Sequence, residues 1–115
     1  IKVDYQTMGE LDGLPIPVAI TFYRTIQEAL NNVIKHAQAS EVSIVVMLRD
    51  EHLIANIEDN GVGIKGNASS SQGLGLTYMN EKMGLFNGSL DIESTLGKGT
   101  SIQLHIPIKP WPELS

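Results

Sequence analysis

Apolar and polar positions alternate from Ile1 to Met8, with Ile1, Val3 and Tyr5 on one side and Lys2, Asp4 and Gln6 on the other. That pattern predicts a half-buried opening strand. Gly9 to Pro17 holds two glycines and two prolines, a loop composition that delivers the chain into a long helix from about Val18 to Ala39. At about 100° per residue, Ile26, Leu30, Val33 and Ala37 fall within a stripe roughly 60° wide, which predicts a core-facing helix side. Val42 to Leu48 and Leu53 to Glu58 read as two strands of an antiparallel hairpin, separated by the charged turn Arg49-Asp50-Glu51-His52.

From Asp59 to Gly73 the periodicity stops: four glycines and three consecutive serines predict a long loop, of a length that compact domains usually keep for function. A second helix follows from about Leu74 to Phe86, ended by Asn87-Gly88. Two strands, near Ser89 to Ser94 and Thr100 to Ile108, are joined by the turn Leu96-Gly97-Lys98-Gly99. In the last of them Ile102, Leu104, Ile106 and Ile108 alternate with polar residues. The order strand, helix, two strands, loop, helix, two strands predicts an α+β fold of two layers, with the helices on one face of a mixed, mostly antiparallel sheet.

Composition narrows the picture. With 115 residues and 42% hydrophobic content a single domain is expected, over residues 1–109, followed by a Pro-rich tail at 110–115. The 13 acidic residues exceed the 8 basic ones, for a net charge of −5, whereas domains that bind nucleic acid usually gather a basic surplus on one face. No nucleic-acid partner is therefore expected. Cysteine is absent, which excludes disulfide and thiolate chemistry and suits a reducing cytoplasm. Apolar runs stop far short of the roughly 20 residues of a membrane-spanning helix, so a soluble piece without direct membrane contact is expected. It opens on a strand-like segment without an initiator methionine, as a piece of a longer protein would.

The face of the first helix opposite its apolar stripe presents Glu28, Asn32, Lys35 and His36 within an arc of about 100°. A carboxylate and an amide one turn apart suit Mg2+, which takes oxygen ligands and shares its shell with water and substrate phosphates; a merely solvated face is the alternative. Asp59-Asn60-Gly61-Val62-Gly63-Ile64 closes a strand with glycines that let backbone approach a flat ligand. An aspartate there would accept a hydrogen bond from the adenine amino group and repel the carbonyl of guanine. Alternatively, Asn60-Gly61 is only a hairpin signal. Gly73-Leu74-Gly75-Leu76 opens the second helix, where free N–H groups and the helix dipole favour phosphate.

Other phosphate motifs fit less well. Gly61-Val62-Gly63-Ile64-Lys65-Gly66 has the spacing of a dinucleotide fingerprint, but a serine-rich loop follows it instead of a helix. Gly97-Lys98-Gly99-Thr100 lacks the order of a P-loop, and the eukaryotic-type kinase motifs are missing.

Taken together, these segments resemble the catalytic and ATP-binding domain of bacterial sensor histidine kinases, in the superfamily that also holds DNA gyrase, mismatch-repair ATPases and a heat-shock chaperone. Arg24-Thr25-Ile26-Gln27-Glu28-Ala29-Leu30-Asn31-Asn32-Val33-Ile34-Lys35-His36-Ala37 resembles the N box, particularly of kinases paired with regulators carrying helix-turn-helix output domains. The resemblance implies the Bergerat ATP-binding fold, with Asn32 on Mg2+, Glu28 on the metal or its water and assisting transfer, and Lys35 and His36 near the nucleotide. Asp59-Asn60-Gly61-Val62-Gly63 resembles the G1 box, which implies Asp59 on adenine with Gly61, Gly63 and Ile64 beside it. Gly73-Leu74-Gly75-Leu76 resembles the G2 box, and Thr100 in the late Gly-x-Gly-Thr segment is implied to support the adenine contact.

Function and partners follow as expectations from the same resemblance: ATP and Mg2+ as ligands, an upstream helical dimerisation domain carrying the phosphoacceptor histidine, a response regulator downstream, and a homodimeric full-length protein. Neither His36 in the N box, His52 in the charged turn nor His105 in a strand sits in an acceptor context, so this chain is expected to bind ATP and to need that other domain for transfer. An anti-sigma-factor type serine kinase and a regulatory domain that only binds nucleotide are the rival readings.

Overall fold

The computed structural model describes residues 2–36, 39–61, 76–95 and 99–108. Within them the chain runs β1 (Lys2–Met8), α1 (Ile16–His36), β2 (Glu41–Arg49), β3 (His52–Asp59), α2 (Leu76–Gly84), β4 (Ser89–Thr95) and β5 (Gly99–Pro107). The five strands form one sheet in the order β1-β2-β3-β5-β4. Only the β1–β2 pair is parallel; β2–β3, β3–β5 and β5–β4 are antiparallel. Helices α1 and α2 lie against β3, β4 and β5 and against each other. The two-layer α+β architecture is as the periodicity predicts.

Alternation along the strands decides which face the helices cover. Val42, Ile44 and Val46 of β2, Leu53, Ala55 and Ile57 of β3, and Ile102, Leu104 and Ile106 of β5 are buried, and they meet Val18, Phe22, Ile26, Ala29 and Val33 of α1 together with Met79 and Met83 of α2. The predicted stripe of α1 is thus the core side, extended toward the helix start by Val18 and Phe22, while Leu30 is only half-buried and Ala37 lies outside the described residues.

Three local details differ from the sequence expectation. Helix α1 starts at Ile16, two residues early, because Pro17 sits in the first turn, where a missing N–H costs nothing; Ala19 N–H closes the first turn on the Pro15 carbonyl at 3.0 Å. It also ends at His36, short of Ala39, which is not helical. Strand β1 is exposed at all seven positions, with Val3 and Tyr5 at 42% and 50%, because it forms the sheet edge beyond the cover of α1. Its expected half-burial is therefore corrected to an exposed edge strand.

The turns follow ordinary chemistry. Asp50 and Glu51, at φ 52° and 65°, form the two-residue link of the β2–β3 hairpin with both residues left-handed, the twist-compatible choice. Helix α2 ends with Asn87 at φ 61°; Asn87 N–H bonds the Gly84 carbonyl at 3.0 Å and Gly88 N–H the Met83 carbonyl at 2.8 Å, the paired closure of a Schellman end. Among the described residues no helix is long and apolar enough to cross a membrane.

Candidate functional site

Asp59 is the last residue of β3. It follows Leu53, Ala55 and Ile57 in the alternation and so faces the helix-covered side. Pairing of Glu58 with Ser101 brings the next position, Asp59, beside Thr100, which is itself buried at 3% exposure. One carboxylate oxygen, Oδ1, accepts the Gly61 N–H at 2.7 Å, a turn in which a side chain binds its own backbone two residues on. The other, Oδ2, is buried and has no hydrogen-bond partner. A buried acceptor left unmade costs about 1–3 kcal/mol, so among the described residues this oxygen is the candidate acceptor for a ligand's donor.

Two neighbours hold that carboxylate in place. Gly99, at φ +100°, packs so tightly on Asp59 that a Cβ would collide with the Asp59 carbonyl oxygen, and it would stand 3.5 Å from Oδ1. Asn60 clasps the start of β2: its Oδ1 accepts from Ser40 N–H at 3.0 Å and Glu41 N–H at 2.9 Å, while its Nδ2 donates to Ser40 Oγ at 3.0 Å. Its own N–H adds a bond to the Glu41 carbonyl at 3.2 Å. Asn60 is therefore a clasp between strands and not the corner of a hairpin, a role that neither motif reading assigns to it. Gly61 is buried beside it.

The polar face of α1 approaches the same end of the sheet, because the Asn60 clasp ties residues 40 and 41, just past α1, to the end of β3. On that face Glu28 and Lys35 are exposed and Asn32 is half-buried. His36 occupies the last turn, and nothing is described of its side chain. Toward the other end of α1 a cleft of about 200 Å3 opens against α2, lined by Arg24, Thr25 and Glu28 and by Tyr78, Met79 and Lys82. Glu28 thus borders a hollow. The structure brings Asp59, Gly61 and Thr100 together; Gly63, Ile64, Gly73, Leu74 and Gly75 lie outside the described residues, and Leu76 is described only as the first residue of α2.

A larger open hollow of about 490 Å3 lies among Lys2, Asp4, Glu41, Val42, Ser43, Glu58, Asp59 and Asn60. It is built largely from positions that alternate onto the uncovered face of the sheet; of the predicted site residues Asp59 borders it, whereas Glu28, Asn32 and Thr100 do not. On that uncovered face His52 Nδ1 and His105 Nε2 are hydrogen-bonded at 2.7 Å with stacked rings. This explains both histidines as cross-strand partners. Arg24, at the start of the N-box segment, and Tyr78 and Lys82 line the cleft although the sequence reading gives them no role. Their signal in the sequence is only the helical spacing of Arg24 one turn before Glu28.

Residues 18–110 match the family of histidine kinase-, DNA gyrase B-, and HSP90-like ATPases. The chain is 38% identical over 109 residues to the oxygen sensor histidine kinase NreB of Staphylococcus carnosus, covering 94% of this chain and 31% of that protein. It is 29% identical over 113 residues to the signal transduction histidine-protein kinase/phosphatase DegS of Bacillus subtilis, covering 94% and 29%. The chain thus spans about a third of the length of these relatives. Among solved structures it resembles the blue-light activated histidine kinase of Erythrobacter litoralis EL346, with a TM-score of 0.80 and 23% identity over 93% of this chain and 35% of that one. It also resembles the Acinetobacter baumannii histidine kinase AdeS, with a TM-score of 0.69 and 17% identity over 94% and 55%. At these identities the structures establish the fold.

Proposed function

This chain belongs to the histidine kinase-, DNA gyrase B-, and HSP90-like ATPase family and is an ATP-binding domain, and from that premise we propose that it is the catalytic domain of a sensor histidine kinase. Its task is to hold Mg-ATP and present the γ-phosphate to a histidine on a separate helical dimerisation domain, for relay to a response regulator. We place the catalytic unit at residues 1–109 and the working site in the cytoplasm of a homodimeric protein. The N box further suggests a regulator with a helix-turn-helix output domain.

The observation that carries this reading is the orphaned Asp59 Oδ2, buried beside Thr100. An acceptor with no hydrogen of its own suits an exocyclic amino group and disfavours a carbonyl, so Asp59 selects adenine. Gly61 keeps the backbone low beside the base, and Thr100 supports the carboxylate. Along α1, Asn32 serves the metal, and Lys35 and His36 are assigned to the nucleotide. Asn32 would hold Mg2+, with Glu28 on the metal or its water and phosphate and water oxygens completing the shell.

Bound ATP supplies the transferable phosphoryl group. The chain's part is positioning and charge neutralisation, which phosphoryl transfer chiefly requires. Glu28 orients the attacking group or its proton at the edge of the α1–α2 cleft. Calorimetry of the chain with MgATP tests the proposal: saturable binding of ATP, discrimination against GTP, and about tenfold or greater weakening in Asp59→Asn are expected. Unchanged affinity in that variant removes Asp59 from the base site.

A further inference from the structure

Arg24, Glu28 and Asn32 follow one another at one-turn intervals on α1, a row about 12 Å long at 1.5 Å per residue. The Asp59 end of the sheet adjoins the Asn32 end of this row, because Asn60 is hydrogen-bonded to Ser40 and Glu41 just beyond the helix. Arg24 therefore stands on the side of Glu28 remote from Asp59. There α2 closes the cleft of about 200 Å3, with Arg24 and Glu28 on one wall and Tyr78 and Lys82 on the other. Its floor includes Thr25 and Met79, which are buried.

Charge and restraint mark this cleft out from an ordinary helix–helix groove. Two cations and one carboxylate line it, so it carries a positive surplus in a chain whose net charge is −5. The Lys82 ammonium is held 4.9 Å above the Tyr78 ring, a cation–π contact that keeps the charge at the cleft wall. Arg24 is exposed and offers a planar fork of donors that matches two oxygens of a phosphate. Neither cation is given a role by the motifs or by the reading of the nucleotide site above.

The geometry points to an anion subsite in which Arg24 and Lys82 contact the terminal phosphate of a nucleoside triphosphate, on the acceptor side of Glu28. The inference rests on the reading of Asp59 as the adenine contact: with the base fixed there, the phosphates run along the polar row of α1 past Asn32, and the last of them arrives at Glu28 and the cleft. A diphosphate ends before it. Arg24 and Lys82 would then offset charge on the transferring group itself, while the base contact and the metal face serve ATP and ADP alike.

Calorimetry of the chain with MgATP and with MgADP, for wild type, Arg24→Gln and Lys82→Gln, tests this. Each substitution is expected to weaken MgATP by about fivefold or more, the scale of one lost charge-assisted contact near the surface, and to leave MgADP within about twofold. Arg24→Lys should recover part of the loss, since it keeps the charge and gives up the fork. Unchanged MgATP affinity, or equal losses for both nucleotides, overturns the subsite while leaving the Asp59 reading in place. A wild-type chain that binds neither nucleotide overturns that reading itself.

Discussion

Gly99 and Asp59 occupy adjoining strands so closely that the α-carbon of Gly99 has no room for a side chain beneath the Asp59 carbonyl. The left-handed φ of +100° at Gly99 makes the same demand independently. Gly99→Ala should therefore lower stability by about 1–3 kcal/mol, the range for a non-glycine residue forced into a sparsely populated conformation, with the clash adding to it. Thermal or urea unfolding measures this. Because the strained contact is with Asp59, ATP affinity should fall along with stability; a fully stable variant would mean that the backbone at this corner yields easily.

Asn60 gives a contrasting expectation. Its side chain makes three hydrogen bonds to residues 40 and 41, all of them at an exposed corner where water can replace the lost partner. Asn60→Ala should thus cost about 1–2 kcal/mol, near the net worth of one or two bonds, and should loosen the corner that carries Asp59. Hydrogen exchange at the Ser40 and Glu41 amides is the direct readout. Protection there that matches wild type would show that the clasp is dispensable.

How far the sequence could be read depends on where each piece of information lives. The apolar stripe of α1 and the alternation of β2, β3 and β5 are local periodicities, and they predict both layers and the buried side of each. The exposure of β1 was not legible, because Ile1, Val3 and Tyr5 alternate just as a half-buried strand does; only the reach of α1 over the sheet decides that the edge strand stays bare. Asp59 stood out as a motif residue, yet its unpartnered buried oxygen and the buried Thr100 set beside it by the β3–β5 pairing belong to strands about forty residues apart in sequence. Arg24 and Lys82 share a cleft only because α1 and α2 meet, which no spacing within either helix encodes.

Tyr23 and Tyr5 supply a pH-dependent link between α1 and the edge strand. Burial, and then the charge and hydrogen bond of the neighbouring Tyr5, raise the Tyr23 phenol above its ordinary value of 10.0. A folded-state value raised above the unfolded one favours the neutral phenol, so the stabilisation is fully present below the unfolded value and is lost as pH rises through the folded one. Unfolding midpoints should accordingly decline above about pH 10, and Tyr5→Phe should lessen that decline. An identical alkaline profile in Tyr5→Phe would show that the tyrosine contact does not govern it.

Glu28 and Asn32 are one turn apart on the same helix, but they differ in surroundings, and the difference separates binding from transfer. Asn32 is half-buried and lies nearer the Asp59 end, whereas Glu28 is exposed at the edge of the α1–α2 cleft. If Asn32 faces the metal, Asn32→Ala should abolish the Mg2+ dependence of ATP binding. If Glu28 orients the attacking group, Glu28→Gln should keep MgATP affinity within a few-fold and slow phosphoryl transfer by about 100-fold or more, the usual scale for losing a positioned acid–base group. Calorimetry on the chain and a labelled-phosphate assay on the protein that carries it together with its acceptor domain give the two numbers separately. Equal losses of binding in both variants would make the polar face of α1 a single metal site, with no separate role for Glu28 in the chemistry.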